Sequence, residues 1–468
     1  MAGGSVQVNS LGSDRPLSND HNARRTAVRI LTRAEKEKAY VNLLLQRQLR
    51  ELGDSRDRQL AAALVNGTLK NRLTLDYAIR RHLKTPMSAL PHMVRAILRT
   101  GAFQLLYMDR IPAAAAVNEA VKSVKAEEPK FAGLVNSVLH RVAEVGWEFP
   151  WPDQKKEPAR YLAVKYSHPQ WLAARWLARW GLEETEKLCI SNNLPAPTCI
   201  RTNTLKISRE NLVSRLENEG IQVTLSAKTP EGLFIEDFGA LDELLSYQEG
   251  LFTVQDESSQ LVAHILGVKP GERVLDVCCA PGGKTTHLAQ LMNNQGTIIG
   301  NDLYPAKLSL VNELVERLGI GIIQTQAGDA GILEGIEGRF DKVLVDAPCS
   351  GLGVIRRRAD LRWQKSEQEI KELSEIQKKI LLRAADFVAP GGEMVYSTCT
   401  IEPEENFEVV KVFRAERPDF SSVSLTGEIN FPVTAGDKKQ LAKGVFQILP
   451  HLYNMDGFFL AKFRRAGL

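Results

Sequence analysis

Five short apolar runs, at 273–277, 297–300, 322–325, 342–345 and 393–396, recur downstream of residue 251 with helix-forming stretches between them. Runs this short are strands, and strands alternating with helices leave one economical solution. That solution is a mostly parallel sheet covered by helices on both faces, with ligands beyond the carboxyl ends of the strands. The chemically suggestive motifs of this half of the chain all lie at such ends.

With 468 residues the chain exceeds one ordinary core. Residues 24–145 read as helices almost throughout. After Pro91, the apolar or small residues Val94, Ile97, Leu98, Gly101, Leu105 and Met108 fall at the spacing of one buried helix face, while Arg95 and Arg99 project elsewhere and Pro112 ends the helix. Prolines and bulky aromatics at 146–153 predict a packed linker. Residues 155–250 mix helix, around Trp171, Trp176 and Trp180, with short strands. Within them, the polar run from Cys199 to Lys206 fits either an RNA-touching surface or internal packing. The expected organisation is a disordered leader at 1–20, an all-α domain at 21–150, a small α+β connecting subdomain at 151–250 and an α/β domain at 251–468.

Residues 21–150 hold 22 Lys or Arg against 12 Asp or Glu, whereas residues 151–468 carry a formal charge of about −5. A basic module beside an acidic one is the asymmetry of a phosphate-seeking domain attached to a catalytic one. No apolar run is long enough to span a bilayer, and the first 20 residues lack a signal-peptide core. Six scattered cysteines argue against a disulfide scaffold and for a reducing cytoplasm. With no zinc-type cysteine spacing and no histidine cluster, no metal is expected; a monomer is expected too.

The loop Cys278-Cys279-Ala280-Pro281-Gly282-Gly283-Lys284-Thr285 ends like a nucleotide-binding P-loop, but the glycine required five positions before Gly283 is replaced by Cys278. A dinucleotide fingerprint is absent as well. A glycine turn opening a helix still lets the backbone approach a ligand closely. Asp302 ends the next strand, positioned for ribose hydroxyls, and Asp329 follows the third, near an adenine edge. This set suits S-adenosylmethionine, which becomes S-adenosylhomocysteine on losing its methyl group.

Two cysteines follow later strands, Cys349 in Asp346-Ala347-Pro348-Cys349-Ser350 and Cys399 in Tyr396-Ser397-Thr398-Cys399-Thr400. Carbon 5 of cytosine is a poor nucleophile until a thiolate adds to carbon 6. Protonation at N3, for which Asp346 is placed, assists that addition, and loss of the carbon 5 proton afterwards lets the cysteine leave. Chemistry alone does not say which cysteine attacks. Cys189, Cys199 and Cys279 read as packing residues.

The stretches Ala63-Leu64-Val65-Asn66-Gly67-Thr68-Leu69, Val94-Arg95-Ala96-Ile97-Leu98-Arg99 and 111–121 resemble the NusB-like RNA-binding fold. The glycine loop, Asn301-Asp302, Gly328-Asp329-Ala330, Asp346-Ala347-Pro348-Cys349 and Thr398-Cys399 together resemble the RNA 5-methylcytosine methyltransferases. The combination resembles the RsmB (Sun/Fmu) family acting on 16S ribosomal RNA. The resemblance implies a multidomain chain: a NusB-like domain, the connecting subdomain and a Rossmann-like class I methyltransferase domain. It implies a 16S cytosine target of the position-967 type, on naked RNA or an early small-subunit particle. It makes Cys399 the nucleophile and Cys349 the group assisting adduct release, with Cys278, Cys279, Ala280, Pro281, Gly282, Gly283, Lys284, Asp302, Asp329 and Asp346 lining the cofactor site. Cys279 departs from the family's usual alanine, which bears on packing.

After Cys349, the residues Arg356, Arg357, Arg358, Arg362 and Trp363 are expected to grip phosphates and stack on an unpaired base. Gln255-Asp256-Glu257-Ser258-Ser259-Gln260 is expected to support the pocket. The alternatives are the same chemistry on transfer RNA or another ribosomal cytosine, and a non-catalytic RNA-binding assembly factor.

Overall fold

The computed structural model describes residues 22–467 apart from 38 and 40, so the expected leader lies outside the described residues. The chain divides into two compact units between Trp151 and Pro152.

The first unit is helical, built on His92–Tyr107 with Ala23–Glu37, Ser55–Lys70, Ala113–Glu127 and Ala132–Val145 packed around it. The three-and-four spacing works as expected: Val94, Ile97 and Leu98 are buried with Leu64, Val65 and Leu139. Gly67 is required by close approach, since a Cβ there would lie 1.9 Å from Phe103 Cζ. One expectation is corrected. The central helix ends at Tyr107; Pro112 instead precedes Ala113–Glu127, where its fixed φ and missing N–H cost nothing. Arg95 and Arg99 project off the apolar face, onto carboxylates of neighbouring helices. Arg99 is 7% exposed and donates to Asp76 at 2.7 and 2.9 Å and to Glu35 at 3.0 Å, while Arg95 pairs with Glu35 at 3.4 Å. Together these residues form an internal ion cluster. The linker is packed: Trp147, Phe149 and Trp151 contact Tyr77 and Tyr107, and Trp147 Nε1 donates to Leu106 O at 3.1 Å.

The second unit begins with helices Pro158–Lys165 and Gln170–Asn193. A four-stranded antiparallel sheet follows, from β1 (Thr198–Thr202), β2 (Gln222–Leu225), β3 (Gly232–Glu236) and β4 (Phe252–Val254), in the order β2-β3-β1-β4. Between the two readings of 199–206, packing prevails. Arg201, Thr202 and Asn203 are buried, and Asn203 Nδ2 donates to Gly250 O and Leu318 O, both at 2.9 Å.

The large sheet contains β5 (Arg273–Asp276), β6 (Thr297–Asp302), β7 (Ile323–Ala327), β8 (Phe340–Asp346), β9 (Val388–Thr398), β10 (Phe420–Ser422), β11 (Val445–Ile448) and β12 (Phe458–Arg465). Its order is β10-β12-β9-β8-β5-β6-β7, with β11 also paired to β12. The five strands anticipated from the apolar runs form the parallel part, and β12 pairs antiparallel with β9. Buried apolar residues line both faces, Val343, Val345 and Tyr396 in one cluster and Val274, Leu344 and Val395 in another. Strands covered on both sides read as continuous apolar runs, which is why they were visible.

Candidate active site

Strand order arranges the site. Across the sheet, the carboxyl ends of β9, β8, β5, β6 and β7 are neighbours. They present, in turn, Cys399, then Asp346 and Cys349, then the glycine loop, Asp302 and Asp329. Residues from five separate motifs therefore line one edge, with the cysteines at one end and the two acceptor carboxylates at the other.

The glycine loop leaves β5 after Asp276 and turns into the helix Gly283–Leu291, with Gly282 at φ 101°. Asn301 fixes the loop from the adjacent strand: its Nδ2 donates to Val277 O and to Gly328 O, both at 3.0 Å, and its backbone oxygen accepts from Cys279 N at 2.8 Å. Asp276, 1% exposed, accepts from Thr285 Oγ1 at 2.7 Å. Burial pushes its carboxyl up to about 7, against the pull of that hydrogen bond. Cys279 is buried against Leu308 and Val311, so the family's departure at this position is absorbed by packing. Cys278, Ala280 and Pro281 keep exposed surface. Burial raises the thiols of both Cys278 and Cys279 above their ordinary value.

Beneath the helix, Arg201 of β1 donates to Gly283 O at 2.6 Å, Thr286 Oγ1 at 3.1 Å and Gln290 Oε1 at 3.2 Å, and also bonds Gln255. Burial lowers this guanidinium to about 9. The small sheet thus supports the helix of the glycine loop from a buried position, a role no local pattern around Arg201 announced. Asp256 caps the helix Glu257–Leu266 by accepting from Ser258 N at 3.0 Å, so the 255–260 motif acts as scaffold beside the loop.

At the other end, Cys349 Sγ and Cys399 Sγ lie 3.2 Å apart, both partly exposed. The contact with Cys399, and then burial, raise the Cys349 thiol well above its ordinary value. Asp346 closes β8 with both oxygens engaged, accepting from Lys284 Nζ at 2.8 Å and Ser397 Oγ at 2.7 Å. Lys284 thereby links the glycine loop to the end that carries the cysteines. The loops carrying the cysteines are joined at Gly353, whose N–H donates to Cys399 O at 3.0 Å. A Cβ there would lie 2.0 Å from Gly457 O, so only glycine permits the approach.

Sequence reasoning missed Glu405. It is fully buried, and it accepts from Ser350 N at 2.7 Å, Ser350 Oγ at 2.5 Å and Gln377 Nε2 at 3.0 Å. Ser350 Oγ is in turn 2.9 Å from Thr400 Oγ1, so one carboxylate clamps the residues following both cysteines. Burial raises Glu405 above the usual carboxylate range. The signal available was Glu402-Pro403-Glu404-Glu405-Asn406, an acidic run directly after Cys399.

The arginines after Cys349 are corrected. Arg356 donates to Pro195 O at 3.0 Å and Asn454 Oδ1 at 2.9 Å; Arg357 donates to Asp456 and Asp256, each at 2.6 Å; Arg362 is fully buried and donates to Ser167 O and Asn193 Oδ1, both at 2.9 Å. These guanidinium groups tie the loop to the body of the unit, with Arg356 and Arg362 buried and Arg357 half-buried. Arg358, near Asp360 at 3.4 Å, and Trp363 are half-buried.

The acceptor set fits S-adenosylmethionine. Asp302 and Asp329 each spend one oxygen on a local backbone N–H, at Tyr304 and Gly331, and stand at adjacent strand ends beside an open glycine turn. Ribose hydroxyls and an amino group call for such acceptors, and the loop lacks the P-loop glycine pattern that would cradle a pyrophosphate.

Residues 263–464 match the family 16S rRNA methyltransferase RsmB/F, residues 21–144 the NusB family, and residues 168–242 the ferredoxin-like domain of RsmF/B-like methyltransferases. The chain is 38% identical over 446 residues to the probable ribosomal RNA small subunit methyltransferase B of Bacillus subtilis, covering 94% of this chain and 98% of that protein. Its counterpart in Pseudomonas putida is 34% identical over 445 residues, with the same coverage. Among solved structures, PH0851 superposes with a TM-score of 0.80 at 29% identity over 96% of this chain and all of that one. NSun6 from Pyrococcus horikoshii with SFG gives 0.58 at 26% identity over 64% of this chain and 99% of the other.

Proposed function

The chain belongs to the RsmB/F family of 16S rRNA methyltransferases, and from that premise we propose that it methylates carbon 5 of a cytosine in small-subunit ribosomal RNA through a covalent cysteine adduct. The observation that carries the proposal is the 3.2 Å contact between Cys349 and Cys399 beside Asp346, one strand from the glycine loop.

When bound at the glycine loop, S-adenosylmethionine supplies an electrophilic methyl group. Asp302 and Asp329 hold its ribose and adenine end, and the turn around Gly282 admits it to the backbone. Cys399 adds as thiolate to carbon 6, and Asp346, oriented by Lys284 and Ser397, serves the N3 edge, its protonated form lending N3 a proton that returns to the carboxylate when Cys399 leaves. The addition makes carbon 5 nucleophilic, and it takes the methyl group. Removal of the carbon 5 proton by a base then expels Cys399. Cys349, adjacent to the departing sulfur, assists that release. Glu405 keeps the two cysteine loops in register, so its role is positioning.

The two cysteines are separable by experiment. Cys399→Ala abolishes methyl transfer and forms no adduct. Cys349→Ala accumulates a protein–RNA adduct that survives denaturing electrophoresis. An adduct trapped by Cys399→Ala and absent from Cys349→Ala reverses the assignment. Bisulfite mapping of small-subunit RNA from a deletion strain identifies the cytosine, and an unchanged map removes the proposed substrate.

A further inference from the structure

His287 lies on the helix that leaves the glycine loop, with no exposure to solvent, and neither ring nitrogen has a hydrogen-bond partner. A buried polar group left in this condition is costly, and native structures retain few of them. The ring is not isolated. Its Nε2 is 3.8 Å from Glu231 Oε2, and the same carboxylate oxygen is 2.9 Å from His264 Nε2. One donor atom from each of the three residues falls within 4.8 Å of the others.

These spacings have a chemical reading. Nitrogen and oxygen ligands about 2.0–2.2 Å from a tetrahedral zinc ion stand roughly 3.3–3.6 Å from one another, so the two observed separations straddle what one shared ion would set. Two imidazoles and a carboxylate are a zinc-type donor set, whereas calcium and magnesium call for oxygen alone. The side chain of His264 is 25% exposed, so the cluster reaches solvent at that residue. Arg201, bonded to the same helix, is the positive charge the ion must tolerate, and Glu231 offsets it.

We propose that Glu231, His264 and His287 bind one divalent ion of the zinc type. The three ligands come from the segment entering β3, from Glu257–Leu266 and from Gly283–Leu291. The ion therefore fastens the small sheet to the helix that carries Lys284, and its role is structural. The sequence offered no cluster because the ligands are widely separated along the chain and follow no zinc-ligand spacing.

The test uses the full chain carrying Cys349→Ser and Cys399→Ser, so that neighbouring thiols do not compete for metal. After chelator treatment the protein is titrated with Co2+, followed by Zn2+ in competition. One equivalent should bind with the visible absorption of four-coordinate cobalt and raise the thermal midpoint. His264→Gln and Glu231→Gln should each weaken binding by more than about 10-fold, the loss attached even to outer-shell partners of metal ligands, and should remove the rise in midpoint. The absence of saturable binding, or one equivalent retained unchanged in both variants, overturns the proposal. A second measurement needs no variant. Crystals of the unaltered protein soaked in Zn2+ should give an anomalous peak among the three side chains, and no peak there overturns it equally.

Discussion

The helical unit and the loop after Cys349 are both rich in arginine, and they use it in opposite ways. In the helical unit Arg47, Arg50, Arg80, Arg81 and Arg141 are exposed, and the internal cluster around Glu35 takes only part of the positive charge. In the catalytic unit Arg356, Arg357 and Arg362 turn inward, onto carbonyls, amides and two carboxylates. Charge density along a sequence thus says little about where the charge resides. The formal balance of −5 in residues 151–468 misleads in the same way, since burial pushes both Asp276 and Asp456 up to about 7.

Removing an inward arginine should break this contrast most visibly. Arg357→Met leaves Asp256 and Asp456, at 11% and 6% exposure, facing one another without their shared cation. Stranding a buried charge costs about 3–5 kcal/mol, and two things favour the lower end: Arg357 is partly exposed, and Asp456, already pushed up to about 7, can take up a proton when the cation is lost. Denaturant unfolding measures it; a loss below about 1 kcal/mol would place these carboxylates in water.

Asp276→Asn sharpens the same point through pH. The folded-state carboxyl titrates near 7 and the unfolded one near its ordinary 3.8. Between those values the folded protein holds a proton that the unfolded chain has released, so wild-type stability falls as pH rises, and the loss is complete above pH 7. Asparagine does not titrate. The stability of the variant relative to wild type should therefore climb by about 2–3 kcal/mol from pH 5 to pH 7, at roughly 1.4 kcal/mol per unit. Any lost hydrogen bond to Thr285 shifts the comparison equally at both pH values. A flat difference would mean Asp276 ionises like an exposed carboxylate.

What the sequence made legible was local. The strands of the parallel sheet, the glycine turn and the cysteines at strand ends announce themselves within a few residues, because a doubly covered strand must be apolar and a loop at its end must carry the chemistry. The partners of Arg99, Arg201 and Arg357 lie far along the chain, and so does the acidic residue that clamps Ser350. The burial of Arg99 was not legible because periodicity identifies the apolar face of a helix and is silent on whether a polar side chain beside it meets solvent or a buried carboxylate. The β12 strand and its antiparallel edge were missed for a related reason: Phe458-Phe459-Leu460-Ala461 carries no glycine loop or cysteine motif to mark it.

The smallest effect on stability belongs to the outward arginines, and it is the most informative about RNA. His82 is lowered by burial and then by the charges of Arg141 and Arg81, which places like charges close together on the surface of the helical unit. Among the described residues, the one partner in this grouping is the Tyr77 ring, 5.8 Å from the Arg81 guanidinium at the surface, where such a contact is worth about 0.5–1 kcal/mol or less. Replacing Arg80, Arg81 and Arg141 together by serine should therefore change unfolding free energy by no more than about 0.5 kcal/mol per site, the usual range for surface substitutions. If the grouping contacts phosphates of single-stranded RNA, each contact removed takes about 0.7 from the slope of log affinity against log salt. Binding measured at several salt concentrations separates the outcomes. A shallower slope with unchanged stability assigns RNA attraction to this surface, and an unchanged slope would leave the basic unit without the role its charge suggests.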